Sequence, residues 1–176
     1  MGRCLLSREL ARAKERYQAN ALEAYRSAAR NLIPHIHVDF HVTGWTGRGV
    51  DAYRHSWKRR SKWDWEEIFR RHREPDCLEM AVWSENSDLC ALGLGLTSGR
   101  AVELRFLEGN GQDGCPLVGR RALIALETVS CYAQLMGKRE VWVNPINEQT
   151  TRLYVDEFGF ERVVEKGRTP FFRRYV

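Results

Sequence analysis

The sequence lacks long apolar runs, and no stretch approaches the roughly 20 apolar residues that a membrane-spanning helix needs. Its N-terminus has no apolar segment of the secretory type, and Leu6 stands where a myristoylation signal has Ser or Thr. We therefore expect a protein that makes no use of a membrane. With 43% hydrophobic residues, the chain also falls outside the disordered and fibrous classes.

Cysteine is scarce and follows no recognisable pattern. No C-x-x-C pair occurs, and the number of cysteines is odd; they are Cys4, Cys77, Cys90, Cys115 and Cys131. A disulfide framework is therefore not expected, and we predict a cytoplasmic protein in a reducing environment. No base can be identified beside any of these thiols, so the sequence does not support a nucleophilic cysteine.

Internal repeats and low-complexity linkers are also absent, and 176 residues suit one compact domain. Periodicity predicts an N-terminal helical extension over residues 1–33, its helix at 7–32 ended by Pro34, and a main domain over residues 34–176. Within the main domain we predict strands at 35–42, 78–83, 90–96, 101–107, 140–143, 161–166 and 170–176, a glycine-broken loop after residue 42, and helices at 63–73, 117–136 and 147–158. This order suits a mixed, mostly antiparallel sheet with helices on both faces.

The predicted strand at 35–42 places His35, His37, Asp39 and His41 on one face, because alternate residues of a strand point the same way. These side chains are of the metal-ligating types. Same-face neighbours on a strand lie about 6–7 Å apart, so four of them on one straight strand cannot converge on a single ion. We therefore predict no metal site and a polar strand face.

Basic residues are concentrated in residues 54–73, and the net charge of the chain is +5. Such a stretch attracts anions, so we expect either an anionic partner here or a solvated basic surface. Trp63 and Trp65 lie in the same stretch. They could stack on nucleic-acid bases or anchor a helix in the core.

The segment from Asn147 to Phe160 reads NEQTTRLYVDEFGF. Asn147 stands where a strand passes into a helix, so its side chain can cap that helix. The segment resembles the N-x-x-A-x-x-L-Y-x-x-x-G-F segment of the GCN5-related N-acetyltransferases (GNAT proteins), with Thr150 in place of the usual Ala. The order of elements in the main domain is also similar to that family. The resemblance implies an α+β fold with a mostly antiparallel central sheet flanked by helices, to which this chain adds an N-terminal helix.

The resemblance implies a function as well. GNAT enzymes bind acetyl-CoA and transfer its acetyl group directly to an amine in a ternary complex. They hold the cofactor's pyrophosphate with a Q/R-x-x-G-x-G/A segment at the start of the long helix. The chain matches this segment imperfectly in two registers, one with Gly119 in the fourth place and Arg121 in the sixth, the other with Ala122 in the sixth. The candidate cofactor-binding residues here are Leu117, Val118, Gly119, Arg120, Arg121 and Ala122.

Catalytic candidates also follow from the resemblance. The family's tyrosine protonates the departing thiolate, which assigns that role to Tyr154, unless Tyr154 is only a core residue. The strand before the glycine-rich loop lends backbone N–H groups to the cofactor, which here are those of Arg105, Phe106 and Leu107, and Asn147 offers its amide. Glu103 is the first candidate for a general base and Glu108 the second, unless they are ordinary surface carboxylates.

Several alternatives remain open from the sequence alone. The acceptor amine could belong to a small molecule, a protein or a nucleic acid. A GNAT-like fold could also serve a nucleic-acid-modifying enzyme with another donor, or a non-catalytic binding module that uses its basic surface. The helix of residues 7–32 has a narrow, alanine-rich apolar stripe, which could pack on the sheet or form a homodimer interface.

Overall fold

A computed structural model describes residues 2–57, 63–111 and 114–176 of the chain. Its helices are α1 (Gly2–Ile36), α2 (Gly47–Ser56), α3 (Trp65–Arg71), α4 (Arg121–Leu135) and α5 (Glu148–Arg152), and a π-helix (Leu153–Glu157) follows α5 directly. Its strands are β1 (Phe40–Thr43), β2 (Leu78–Ser84), β3 (Leu89–Thr97), β4 (Ala101–Gly109), β5 (Glu140–Val143), β6 (Glu161–Val163) and β7 (Phe171–Tyr175). No helix in these ranges combines the length and the apolar character needed to cross a bilayer.

The strands form one sheet in the order β1-β2-β3-β4-β5-β7-β6. Every neighbouring pair is antiparallel except β4 and β5, which run parallel because α4 carries the chain back between them. The predicted α+β class, with a mostly antiparallel sheet, flanking helices and an additional N-terminal helix, is therefore confirmed.

Two apolar cores cover the two faces of the sheet. The larger core joins α1 and α4 to the sheet and contains fully buried residues such as Leu78, Ile124 and Tyr132. The second core is rich in tryptophan and joins α2 and α3 to the other face. Indole N–H groups within it donate to main-chain carbonyls, Trp45 to Met80 at 2.9 Å and Trp57 to Leu89 at 3.0 Å, so these large rings are buried without losing a hydrogen bond.

The predictions were wrong where the chain leaves α1. The helix does not stop before Pro34 but continues to Ile36, and His37, with a φ of 52°, ends it. Leu32 is buried and Ile36 packs against the larger core, so tertiary packing outweighs the alternating pattern of residues 35–42. The strand begins only at Phe40, and the four polar residues predicted on one strand face do not share one.

The loop predicted after residue 42 contains a helix, because α2 begins at Gly47 and buries Gly49 and Tyr53 against the sheet. Three glycines suggested a loop, but Gly49 lies inside this helix, where an added Cβ would make only ordinary contacts with Ala81 and Trp83 of β2. The helix predicted at 63–73 is shorter than expected. It is capped by Asp64, whose carboxylate accepts from the N–H of Glu67 at 3.0 Å. The alternative cap, Ser61, lies outside the described residues.

Candidate active site

Strand β5 pairs with β4 along its whole length, but β4 is paired with it only over its first part. Their parallel register runs from Ala101 opposite Glu140 to Leu104 opposite Val143, where β5 ends, whereas β4 continues to Gly109. Beyond Leu104, the backbone groups of β4 that point away from β3 have no neighbouring strand among the described residues. A strand edge left open inside a sheet can accept a ligand in extended conformation.

A β-bulge lies at the point of separation. On the β3 side, Leu94 is opposite Phe106 and Gly95 is opposite Leu104, so Arg105 is an extra residue on β4 with no partner on β3. A bulge bends the strand that carries it and increases the local twist. The bend therefore occurs where β4 has just lost its pairing with β5.

The gap between the separating strands opens into a cleft of about 480 Å³. Its wall on one side is the second half of β4, and on the other side it is the turn after β5 and the helical segment that follows. The described residues that line it are Trp63, Leu104, Arg105, Leu107, Gly109, Gly111, Gly119, Arg121, Ala122, Asn144, Pro145, Ile146, Thr150, Leu153 and Tyr154. Most of the wall is apolar, with a few polar groups, as is usual for sites that bind an extended organic ligand.

The amino end of α4 closes one end of the cleft. Arg120 is the N-cap residue and its side chain makes no capping hydrogen bond, so the N–H groups of the first helical turn, from Arg121 onward, have no acceptor within the helix. Gly119 precedes it with a φ of 79°, a left-handed conformation that glycine adopts without strain. The result is an uncapped helix terminus at the cleft, where the helix dipole favours an anion.

Arginine side chains flank this terminus. The Arg121 guanidinium donates to the main-chain carbonyl of Asn110, and it passes so close to Gly109 that a Cβ there would lie 2.2 Å from its Nη1. Glycine at position 109 is therefore what lets the guanidinium lie across the end of β4. Arg120 donates to the carbonyl of Pro116 at 3.3 Å. Of the remaining candidates in this segment, Leu117 is fully buried as an anchor and Val118 is exposed, and neither lines the cleft.

Solved structures of N-acetyltransferases share this architecture. The ribosomal-protein-S18-alanine N-acetyltransferase from Escherichia coli matches with a TM-score of 0.55 and 16% identity over 77% of this chain and 91% of that chain. An acetyltransferase of the GNAT family from Staphylococcus aureus Mu50 matches with a TM-score of 0.54 and 8% identity over 78% of this chain and 99% of that one. The PaiA N-acetyltransferase from Thermoplasma acidophilum, in complex with coenzyme A, matches with a TM-score of 0.50 and 14% identity over 78% and 99% of the two chains.

This chain has the GNAT fold. Identities of this size establish the fold and leave the activity to be argued from the site. No protein-family model matches the sequence, and no curated protein matches it either.

Within this GNAT fold, Tyr154 lies on the π-helix and lines the cleft. Its side chain is 7% exposed and packs against Phe158 and Phe160, with ring centroids 6.3 Å and 5.6 Å away. Burial raises the pKa of its hydroxyl to about 12, so the group is protonated throughout the physiological range. Tyr154 is therefore both a core residue and a proton-bearing group at the cleft.

The π-helix also explains the length of this segment. Four residues separate Tyr154 from Gly159, whereas the GNAT segment quoted above has three. A π-turn holds one residue more than an α-turn, and such turns occur frequently at functional sites. The extra residue is thus taken up within Leu153–Glu157, and Tyr154 and Phe160 remain in contact.

Glu103 lies behind the wall of the cleft and not in it. Its carboxylate accepts from Arg105 Nη1 at 3.1 Å and from Asn144 Nδ2 at 2.7 Å, and its side chain is 17% exposed. Both of these donors do line the cleft. Glu108 is buried and accepts from the indole N–H of Trp65. Each carboxylate therefore has hydrogen-bond donors from the protein, and a role as general base remains a prediction for both.

The other candidates divide between the cleft and its support. Arg105 and Leu107 line the cleft, whereas Phe106 points into the tryptophan-rich core with its ring 4.8 Å from that of Trp63. Asn147 caps α5, its Oδ1 accepting from the N–H of Thr150 at 2.8 Å. It does not line the cleft, so its predicted contact with the cofactor stays a prediction.

Asn144 and Thr150 both line the cleft, but the sequence analysis did not predict either of them as a site residue. A signal for each was present. Asn144 precedes Pro145 directly after β5, and an Asn-Pro pair at a strand end predicts an exposed turn. Thr150 stands where the GNAT pattern has Ala, so a departure from that pattern marks its position.

The basic stretch of residues 54–73 is only partly described, since Lys58 to Lys62 lie outside the described residues. Arg54 pairs with Glu66 at 2.9 Å and Arg71 pairs with Glu67, both at exposed positions where ion pairs add little stability. Trp65 is buried, so it anchors α3 in the core and does not offer a stacking surface. Trp63 lines the cleft. An anionic partner for this stretch stays a prediction.

Proposed function

We propose that this protein is an acetyl-CoA-dependent N-acyltransferase, which transfers an acetyl group directly to an amine bound in the same cleft. One observation carries the proposal: the gap between β4 and β5 leads from an uncapped helix terminus with an arginine across it to a buried, protonated tyrosine. An anion site and a proton donor joined by an extended apolar channel suit a long ligand with a phosphate at one end and a reactive group at the other.

The residues at the helix terminus fit the phosphate groups of coenzyme A. The N–H groups of Arg121 and Ala122, together with the dipole of α4, favour an anion there. Arg121 adds a guanidinium that can bind two phosphate oxygens at once. Ile146 and Leu153, exposed apolar residues on the opposite wall, offer contacts to the uncharged part of such a ligand. When bound, acetyl-CoA supplies an activated thioester.

The chemistry requires a polarised carbonyl and a proton for the leaving thiolate. In our proposal, N–H groups of β4 beyond Leu104 donate to the thioester carbonyl oxygen, because no neighbouring strand uses them. A bond forms between the amine nitrogen and the acetyl carbon while the carbon–sulfur bond breaks. The Tyr154 hydroxyl would give its proton to the thiolate sulfur and regain one from solvent, a return that its raised pKa favours.

The amine loses one proton in the reaction. We propose that water in the open cleft accepts this proton, because Glu103 and Glu108 already accept hydrogen bonds from protein donors. The proposal therefore requires an acceptor amine that is partly neutral at the working pH.

The first test is calorimetric titration of the purified protein with acetyl-CoA, with free CoA as the second ligand. We expect saturable binding of both. Arg121→Gln should weaken binding about tenfold, because charge-assisted hydrogen bonds contribute about 1.5–3 kcal/mol. Arg30→Gln is the matched control, since Arg30 pairs with Glu23 on the exposed surface of α1, and it should leave the affinity unchanged.

Absence of binding by the folded wild-type protein would contradict the proposal. If wild type and Arg121→Gln bound equally well, the protein would still be a CoA-binding protein, but the phosphate groups would not bind at the start of α4. If neither ligand bound, salt-dependent nucleic-acid binding would become the next property to measure, because residues 54–73 are basic.

A further inference from the structure

The end of the cleft where β4 and β5 separate carries a cation. Among the described residues that line the cleft, the charged ones are Arg105 and Arg121, and both are arginines. Arg105 to Gly109 spans about 13 Å of extended strand, and Arg121 lies across Gly109. The two arginines therefore lie towards opposite ends of the cleft, Arg121 at the helix terminus and Arg105 at the bulge.

The Arg105 guanidinium is held in place by one hydrogen bond, and its other N–H donors can bind a ligand. Its Nη1 donates to Glu103 at 3.1 Å, and its side chain is 49% exposed. A guanidinium has five N–H donors in a planar fork, which matches the oxygens of a carboxylate or a phosphate. Within the described part of the chain, Glu103 is the one hydrogen-bond acceptor of Arg105. The remaining N–H groups of the guanidinium can therefore donate to a ligand in the cleft.

Glu103 positions two cleft residues at once. It accepts from Arg105 on one side and from Asn144 Nδ2 at 2.7 Å on the other, which ties β4 to the turn after β5 across the gap. With its Nδ2 engaged, Asn144 can present its carbonyl oxygen to an N–H group. The bulge thus presents a cation and an amide acceptor together.

The same end offers little to a polycation. No carboxylate lines the cleft within residues 2–57, 63–111 and 114–176. Glu103 is engaged as described, and Glu108 is buried under Trp65. Positive charge in the cleft repels an ammonium group and attracts an anion.

We propose that the acceptor is a weakly basic amine that carries its own anionic oxygen group, a carboxylate or a phosphate, and that Arg105 binds this group. Glu103 and Asn144 are the positioning residues. This inference rests on the proposed function and names its substrate class. The amine must also be weakly basic, because the described residues that line the cleft include no carboxylate to take its proton. An α-amine with a pKa of about 8 is neutral roughly a few hundred times more often than a lysine side chain with a pKa of about 10.4.

The test uses matched acceptors that each contain one α-amine. Peptide amides that begin with Glu, Gln or phosphoserine and continue with two alanines are incubated with the full-length protein and acetyl-CoA, and released CoA is measured. Spermidine is the polycation. We expect kcat/KM to be at least tenfold higher for the glutamate or phosphoserine probe than for the glutamine probe. The two anionic probes distinguish carboxylate from phosphate.

Substitutions assign the preference to Arg105. Arg105→Gln should raise the KM for the preferred anionic probe about 10- to 100-fold, and the KM for the glutamine probe much less, since the charge-assisted contact that is lost exists only with the anionic probe. Arg105→Lys should recover part of the loss, because it keeps the charge without the fork. Arg30→Gln should behave as wild type.

Glu103→Gln separates positioning from general-base catalysis. As a positioning residue, Glu103 should affect mainly the KM of the anionic probe, by several-fold, and the pH dependence of kcat should be unchanged. If Glu103 were the general base, Glu103→Gln would instead lower kcat by about 100-fold or more and remove the acidic limb of the pH profile.

Two results would overturn the inference while the proposed function stands: acetyl-CoA binding with turnover of spermidine but no anionic probe, or acetyl-CoA binding with no turnover of any anionic probe. An anionic preference that survives Arg105→Gln would also overturn the role of Arg105. Loss of the function itself is recognised separately, because calorimetry would then show no binding of acetyl-CoA.

Discussion

The two edges of β4 differ in how far they are paired. Its β3 edge is paired from Val102 opposite Thr97 to Gly109 opposite Ala91, interrupted once by the bulge at Arg105. Its β5 edge is paired only from Ala101 to Leu104. The same strand therefore has a structural edge and an open edge, and all the β4 residues that line the cleft except Leu104 belong to its open half. The comparison teaches that the site depends on where pairing ends as much as on which side chains are present.

The largest effect is expected on the structural edge. Leu94 lies on β3 opposite Phe106 and is fully buried, so Leu94→Ala should lower the free energy of unfolding by about 2 to 5 kcal/mol. Urea denaturation measures this change. Leu10→Ala, on α1 where the side chain is 64% exposed, is the matched control and should change stability by less than about 0.5 kcal/mol. If the two variants were equally stable, the β3 edge would not be the structural one.

On the open edge, the largest effect should be catalytic. Tyr154→Phe removes the hydroxyl and keeps the packing against Phe158 and Phe160, so kcat should fall on the order of 100-fold. Steady-state rates and thermal melting of the same preparation provide the comparison. Unchanged kcat in a well-folded variant would assign the thiolate's proton to another donor.

A smaller effect should come from the helix terminus. Gly119→Ala places a side chain on a residue with a φ of 79°, which costs about 1–2 kcal/mol and should also weaken acetyl-CoA binding several-fold. Gly99→Ala is the matched control, since Gly99 lies in open space without a positive φ. Equal affinities for the two variants would show that the conformation of Gly119 does not shape the anion site.

The smallest effect concerns pH. Burial raises the pKa of Tyr154 to about 12 in the folded state, above the ordinary value of 10.0. The resulting stabilisation is complete below pH 10 and is lost as the pH rises towards 12, because the unfolded chain releases the proton first. Between pH 9 and pH 11 the free energy of unfolding of the wild type should fall by about 1 kcal/mol more than that of Tyr154→Phe. Urea midpoints at both pH values check this, and parallel losses would mean that the hydroxyl is not buried in solution.

Much of the fold could be predicted from the sequence because its signals are local. The short apolar runs of β2, β3 and β4, the turns between them and the capping residue Asn147 follow from short-range chemistry, and the structure agrees with them to within a few residues. The errors at residues 35–39 and 47–56 arose where packing on the sheet decided between helix and extended chain.

The site was predictable only in part, for a different reason. Tyr154 and Arg121 follow from a pattern within one segment, whereas the support of Arg105 and Asn144 by Glu103 joins β4 to the turn after β5. The point at which two strands separate is a property of the pair. No single segment carries that information, so the connection of Asn144 to Arg105 through Glu103 could be found only from the structure.

The π-helix after α5 contains one additional residue without displacing the residues on either side of it. An ordinary helix that gains one residue turns every later side chain by about 100° and moves it along the axis. Here the wider turn contains the additional residue, so Tyr154 stays in contact with Phe160 although the chain between them is longer than in the GNAT segment. We therefore expect that removing one codon between Tyr154 and Phe158 would return this turn to ordinary α-helical winding and leave Tyr154 beside Phe160.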